Sequence, residues 1–187
     1  MRTFPYSAIK SGFRTAHLPR YEQGGEVQIL NTVHPDYCLG SFNNIAFSVW
    51  HGQLTLAHIP LIKKVWAEVQ AANPEGFGVI TVVAPEAPMV AADARRPVSA
   101  LYESFGSALK GSSVVVQAPG IKGTAARMVI STLQLVARPP YPMEAHDSLR
   151  SAARWMTGKL IVDDPFPELA SMIAHYDQQR SSGFKAS

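Results

Sequence analysis

Two short valine-rich runs constrain this chain more than anything else in it. They are Gly78 to Ala84 (GVITVVA) and Ser112 to Ala118 (SSVVVQA). Neither alternates cleanly between apolar and polar, so each is a strand that needs cover on both faces, as inner strands of a parallel sheet do. Between them Val98, Leu101, Tyr102, Phe105 and Leu109 recur at helical spacing. Strand, helix and strand in that order make a right-handed crossover between parallel neighbours.

The same pattern extends outward in both directions. Tyr37 to Phe42 and Ile45 to His51 flank Asn43-Asn44, a pair that tolerates the positive φ of a two-residue hairpin. Ile45, Phe47 and Val49 alternate with Ala46, Ser48 and Trp50, which predicts a strand with one well-buried face. Ile59, Ile62, Val65, Trp66 and Val69 give a helix with Pro60 in its first turn, stopped by Asn73-Pro74-Glu75-Gly76. Asp93 is a candidate N-cap for the next helix, and Lys110-Gly111 a candidate end. A further helix is expected from Gly123 to Ala137, stopped by Arg138-Pro139-Pro140-Tyr141-Pro142. A short strand at Met143 to His146 follows, then a helix through Leu149, Ala152, Ala153, Met156 and Leu160, capped by Asp147 or Ser148. A last amphipathic segment carries Leu169, Met172, Ile173 and Tyr176. The order is β-β-α-β-α-β-α-β-α with an added helix, a mixed, mostly parallel α/β sheet. Residues 1–36 read as a partly ordered extension with a possible strand at Val27 to Val33, 37–160 as the α/β domain, and 161–187 as a C-terminal helix and tail.

Composition narrows the setting. With 187 residues, 47% of them hydrophobic, the chain can build one core unaided by metals or disulfides. Its one cysteine, Cys38, reads as a buried inert thiol and fits a reducing compartment. No signal peptide and no membrane-length apolar run is apparent, so a cytoplasmic location is expected. Residues 1–20 hold Arg2, Lys10, Arg14 and Arg20 and no acid, whereas the remainder carries 13 basic against 14 acidic residues. The net charge of +3 therefore sits on an arm, and four dispersed cations disfavour nucleic acid as the partner.

The order of elements, with the segments NPEGFGVITVV, SSVVVQAPGIKGTAARMVISTLQLVARPPYP and SLRSAARWM, resembles the STAS domain of bacterial anti-sigma-factor antagonists over roughly residues 37–160. The lipid-binding CRAL-TRIO domain is similar in shape, as is a group of uncharacterised bacterial proteins. The resemblance implies a STAS-like fold and a protein-interaction role. Phospho-switched members of that family carry a Ser or Thr at the start of the helix after the third strand. The stretch Ala84 to Asp93 here has no hydroxyl residue, so that switch does not carry over.

Among chemical motifs, the turn Gly120, Lys122, Gly123 and Thr124 leading to Arg127 could hold a small anion, with glycines and N–H groups at a helix start and two cations nearby. Its spacing matches neither a P-loop nor a dinucleotide fingerprint, and the plain alternative is a turn followed by a solvated stripe. Arg95 and Arg96, at a helix start where cations oppose the dipole, are candidates for a partner contact. Tyr141 in its proline-rich loop is another, with a helix stop packed by its ring as the alternative. His51 and His58 have no metal-ligand spacing, and His146-Asp147 is either an oriented base or a strand-end residue before a cap. No HExxH motif, cysteine pair or Gly-x-Ser-x-Gly elbow is present, and no cofactor or metal site is read. The expectation is a module that binds a protein, another copy of itself or a small anionic ligand without catalysis; the remaining alternative is an enzyme of unknown type, whose polar groups would converge only in the folded chain.

Overall fold

The computed structural model describes residues 21–23, 26–117, 120, 141–160 and 163–182. Among them the strands are β1 (Tyr21–Gln23), β2 (Glu26–His34), β3 (Tyr37–Phe42), β4 (Ile45–Trp50), β5 (Phe77–Val83), β6 (Leu109–Val116) and β7 (Met143–His146). The helices are α1 (Ile59–Ala72), α2 (Arg95–Phe105), α3 (Leu149–Thr157) and α4 (Phe166–Ser181). All seven strands lie in one sheet in sequence order, antiparallel from β1 to β4 and parallel from β4 to β7. This is the mixed α/β architecture that the apolar runs predict. The expected helix over 123–137 lies outside the described residues.

The sheet begins earlier than the boundary at residue 37. β2 pairs with β3 along almost its whole length, so part of the expected extension is a structural strand. The hairpin turn is as predicted, with Phe42 paired to Ile45 and Asn43 at a φ of 50°. β4 departs from its expected half-buried pattern, since all six residues are buried. The reason is its position: α1 covers one face, and α3 and α4 cover the other.

One core therefore lies on each side of the sheet. Ile45, Phe47, Val49, Ile80, Val82 and Val115 face Ala152, Met156, Leu169, Met172 and Tyr176 of α3 and α4. Ala46, Trp50, Phe77 and Val79 face Ile62, Val65, Trp66, Val69, Leu101 and Phe105 of α1 and α2. At Gly78 the approach of α3 is so close that a Cβ would run into Met156 and Leu160. The ends of α2 differ from expectation, and one of the two caps expected for α3 is realised. Ala94, not Asp93, is the N-cap of α2, and its end is Phe105 with Gly106 at a φ of 46°, because Leu109–Val116 is drawn into β6. Ser148, not Asp147, caps α3, accepting a hydrogen bond from the Ser151 N–H at 3.3 Å.

A polar line crosses the α1/α2 face of the sheet. The Trp50 indole N–H donates to Ser48 Oγ at 3.0 Å, and Ser48 Oγ–H donates to Thr81 Oγ1 at 3.4 Å. The Tyr102 hydroxyl bonds both Thr81 and Ser112, the latter at 3.1 Å. Each hydroxyl thus has a partner inside an apolar layer, which fixes the register of β4, β5 and β6. Tyr102→Phe keeps the ring stacked on Tyr141 and edge-on to Trp66 but removes the bridging oxygen. The buried Ser112 hydroxyl loses its bond to that oxygen, and the fold loses about 1–2 kcal/mol, measurable as a lower urea midpoint with an unchanged m-value.

Candidate functional site: the rim at the carboxyl ends of the parallel strands

In an open α/β sheet the strands' carboxyl ends are where loops are free to meet a ligand or partner. Among the described residues two loops form much of that rim: residues 51–58 after β4 and residues 84–94 after β5. They are bound to each other. Gln53 Nε2–H donates to the Met89 carbonyl at 3.0 Å, and the Ala91 N–H donates to the Leu54 carbonyl at 3.0 Å.

His58 anchors the first loop. Its ring sits edge-on to Tyr37 and Trp50, with centroids 4.7 and 5.1 Å away. Nδ1 accepts the Thr55 N–H at 3.0 Å, which requires a neutral ring. Burial, and then the neighbouring His34, hold its pKa below the ordinary histidine value, so the neutral form is the one present near pH 7.

His51 gathers the ionisable groups. Its Nδ1–H donates to Glu86 Oε1 at 2.6 Å, and Arg180 Nη2 donates to the same oxygen at 3.3 Å. On the other side Nε2 lies 3.4 Å from Asp177 Oδ1, within ion-pair range but off the line of a hydrogen bond, which leaves that buried nitrogen unbonded. The ring is 12% exposed, one nitrogen held by Glu86 and the other buried against Asp177. Through these contacts the ring ties β4, the second loop and α4 together. Sequence spacing missed this cluster because its members come from residues 51, 86, 177 and 180, joined only by tertiary packing. Cys38, on the neighbouring strand, is buried, and burial followed by the charge of Asp177 pushes its thiol up to about 12. It is protonated at neutral pH and not a nucleophile.

The candidates named from sequence divide clearly. Arg95 and Arg96 are exposed and open α2 at this rim, immediately after the second loop. Arg95 Nε–H donates to the Val90 carbonyl at 3.4 Å, and neither arginine pairs with a carboxylate among the described residues. Gly120 is exposed beyond the end of β6, with a φ of 64°. Lys122, Gly123, Thr124 and Arg127 lie outside the described residues. Tyr141 is corrected: it is buried at the opposite end of the sheet and stacks on Tyr102 with centroids 5.7 Å apart, so its ring belongs to the core. His146 is a buried strand-end residue bonded through Nδ1 to Ser151 Oγ at 3.1 Å, and Asp147 is exposed beside it. What sequence reading did not single out is the apolar exposure of the rim itself: Met89 is 67% exposed and Leu56 45%.

The tie has a definite pH signature. The hydrogen bond from His51, aided by a backbone N–H and by the charges of His51 and Arg180, holds the Glu86 carboxyl below its ordinary range. A carboxyl lowered on folding adds stability above its unfolded value of about 4.3 and loses it as pH falls through the lower folded value. Glu86 is half exposed, so the effect is small. Glu86→Gln costs about 0.5–1 kcal/mol near pH 7, and the wild-type and variant stabilities converge below about pH 4 in urea titrations run across that range.

No family model matches the chain, and no curated protein matches it. A solved structure of an uncharacterised protein of the DUF3478 family from Shewanella loihica PV-4, described as having a SpoIIAA-like fold, is similar to it over 64% of this chain and 93% of that one. The identity is 14% and the TM-score 0.45.

Proposed function

We propose that this protein is a regulatory module of a bacterial cytoplasm that binds another protein through the rim and turns over no substrate. The observation that carries the reading is Met89, a large apolar side chain two-thirds exposed on a loop that is hydrogen-bonded into place. A fold with ample core that leaves such a residue outside, on a held loop, offers an anchor for a partner's apolar group. The ionisable groups at the foot of these loops support the same reading, since His51 and Glu86 are engaged with each other and Cys38, on the next strand, is a protonated, buried thiol. The STAS resemblance in the sequence points to the same class of role.

Met89→Asp combined with Leu56→Asp changes only exposed side chains and leaves the thermal unfolding midpoint close to wild type. A partner captured from the native cell by the tagged wild-type chain is lost by this variant and retained by Lys64→Glu, a charge change on the exposed side of α1. Retention of the partner by the double variant would remove the rim as the contact. Specific turnover abolished by one polar substitution would remove the non-catalytic reading.

A further inference from the structure

The charge beside the apolar anchor narrows what can dock there. Residues 87–100 contain Arg95 and Arg96 against the single acid Asp93, which leaves that stretch net positive. The other acid of this loop, Glu86, directs its carboxylate away toward His51 and Arg180. The first turn of α2 has no acid, its N-cap makes no side-chain bond, and among the described residues no carboxylate pairs with either guanidinium group. They bring no benefit to the helix either, because cations in a first turn oppose its dipole. Arg95 is also steered by the bond to the Val90 carbonyl, the residue after Met89 in the loop. Exposed cations that no described carboxylate pairs with, on the same loop–helix stretch as an apolar anchor, complement a partner that carries acids around a large apolar side chain.

We infer that the rim takes an acidic protein segment, which seats an apolar side chain on Met89 and Leu56 and sets its carboxylates against Arg95 and Arg96. This rests on the reading of the rim as the contact surface. The apolar group supplies most of the affinity, and the arginines select the sign of charge and speed encounter. The attraction weakens with salt, because the arginines are exposed and therefore screened.

The test is selection of random peptides displayed on phage against three full-length forms: wild type, Arg95→Glu with Arg96→Glu, and Met89→Asp. Wild type enriches peptides with Asp or Glu flanking Leu, Phe or Met. Synthetic versions of these bind the charge-reversed form at least about tenfold more weakly, and selection on that form moves toward Lys and Arg. Met89→Asp abolishes enrichment of both sets. Peptides lost on Met89→Asp yet indifferent to the arginine reversal would overturn the acidic partner while leaving the rim as the contact. Enrichment of no peptide, or of peptides indifferent to all three forms, would overturn both. Arginine-dependent binding to phosphatidylserine vesicles or to a single-stranded oligonucleotide, without enrichment of acidic peptides, would overturn the assignment to a protein partner.

Discussion

Everything in this molecule depends on β4 and β5 being buried on both faces. A parallel strand cannot leave one side to water in the way an antiparallel hairpin can, because its crossover connections bring helices onto the sheet. Ile80 and Val82 require α3 and α4 over them, and Phe77 and Val79 require α1 and α2. Once both faces are closed, the surfaces left to the sheet are its two edges and its two ends. The carboxyl end is the one where loops 51–58 and 84–94 meet, which is why exposed apolar groups and unpaired cations gather there. The location of the candidate site thus follows from the same burial that makes the fold stable.

Much of the architecture was legible because apolar spacing reports it directly. The unbroken run over residues 78–84, the hairpin around Asn43 and the short strand Met143 to His146 all emerged close to where their patterns put them. Errors fell where tertiary packing decided the outcome. The helical spacing that included Leu109 looked like one more turn, yet that residue pairs with Phe77 in the sheet, and Gly106 takes the helix end that Lys110-Gly111 had promised. Ser48 looked like the polar side of a strand, but α1 closes over it and Trp50 and Thr81 supply its bonds. Neighbouring residues carry no record of such partners.

The site was less legible than the fold, for a related reason. Arg95 and Arg96 stood out because a cation at a helix start is locally unfavourable, a contradiction visible in sequence. Met89 gave no comparable signal, since a methionine in a proline-rich loop is as consistent with a core plug as with an exposed anchor. Tyr141 stood open between a presented side chain and a packed ring, and the ring turns inward onto Tyr102. Exposure is a property of the assembled surface, and periodicity predicts it only for residues inside regular elements.

The Tyr176 hydroxyl donates to the His34 carbonyl at 3.0 Å, closing the fold across 142 residues of chain. During synthesis at roughly 5–20 residues per second, His34 precedes its partner by about 7–28 s. Over that interval Phe47, Val49, Ile80 and Val82 have no α4 to cover them, and their apolar face is open to solvent and to other nascent chains. Closure of this face therefore waits on α4, the element that brings Leu169, Met172 and Tyr176 to it.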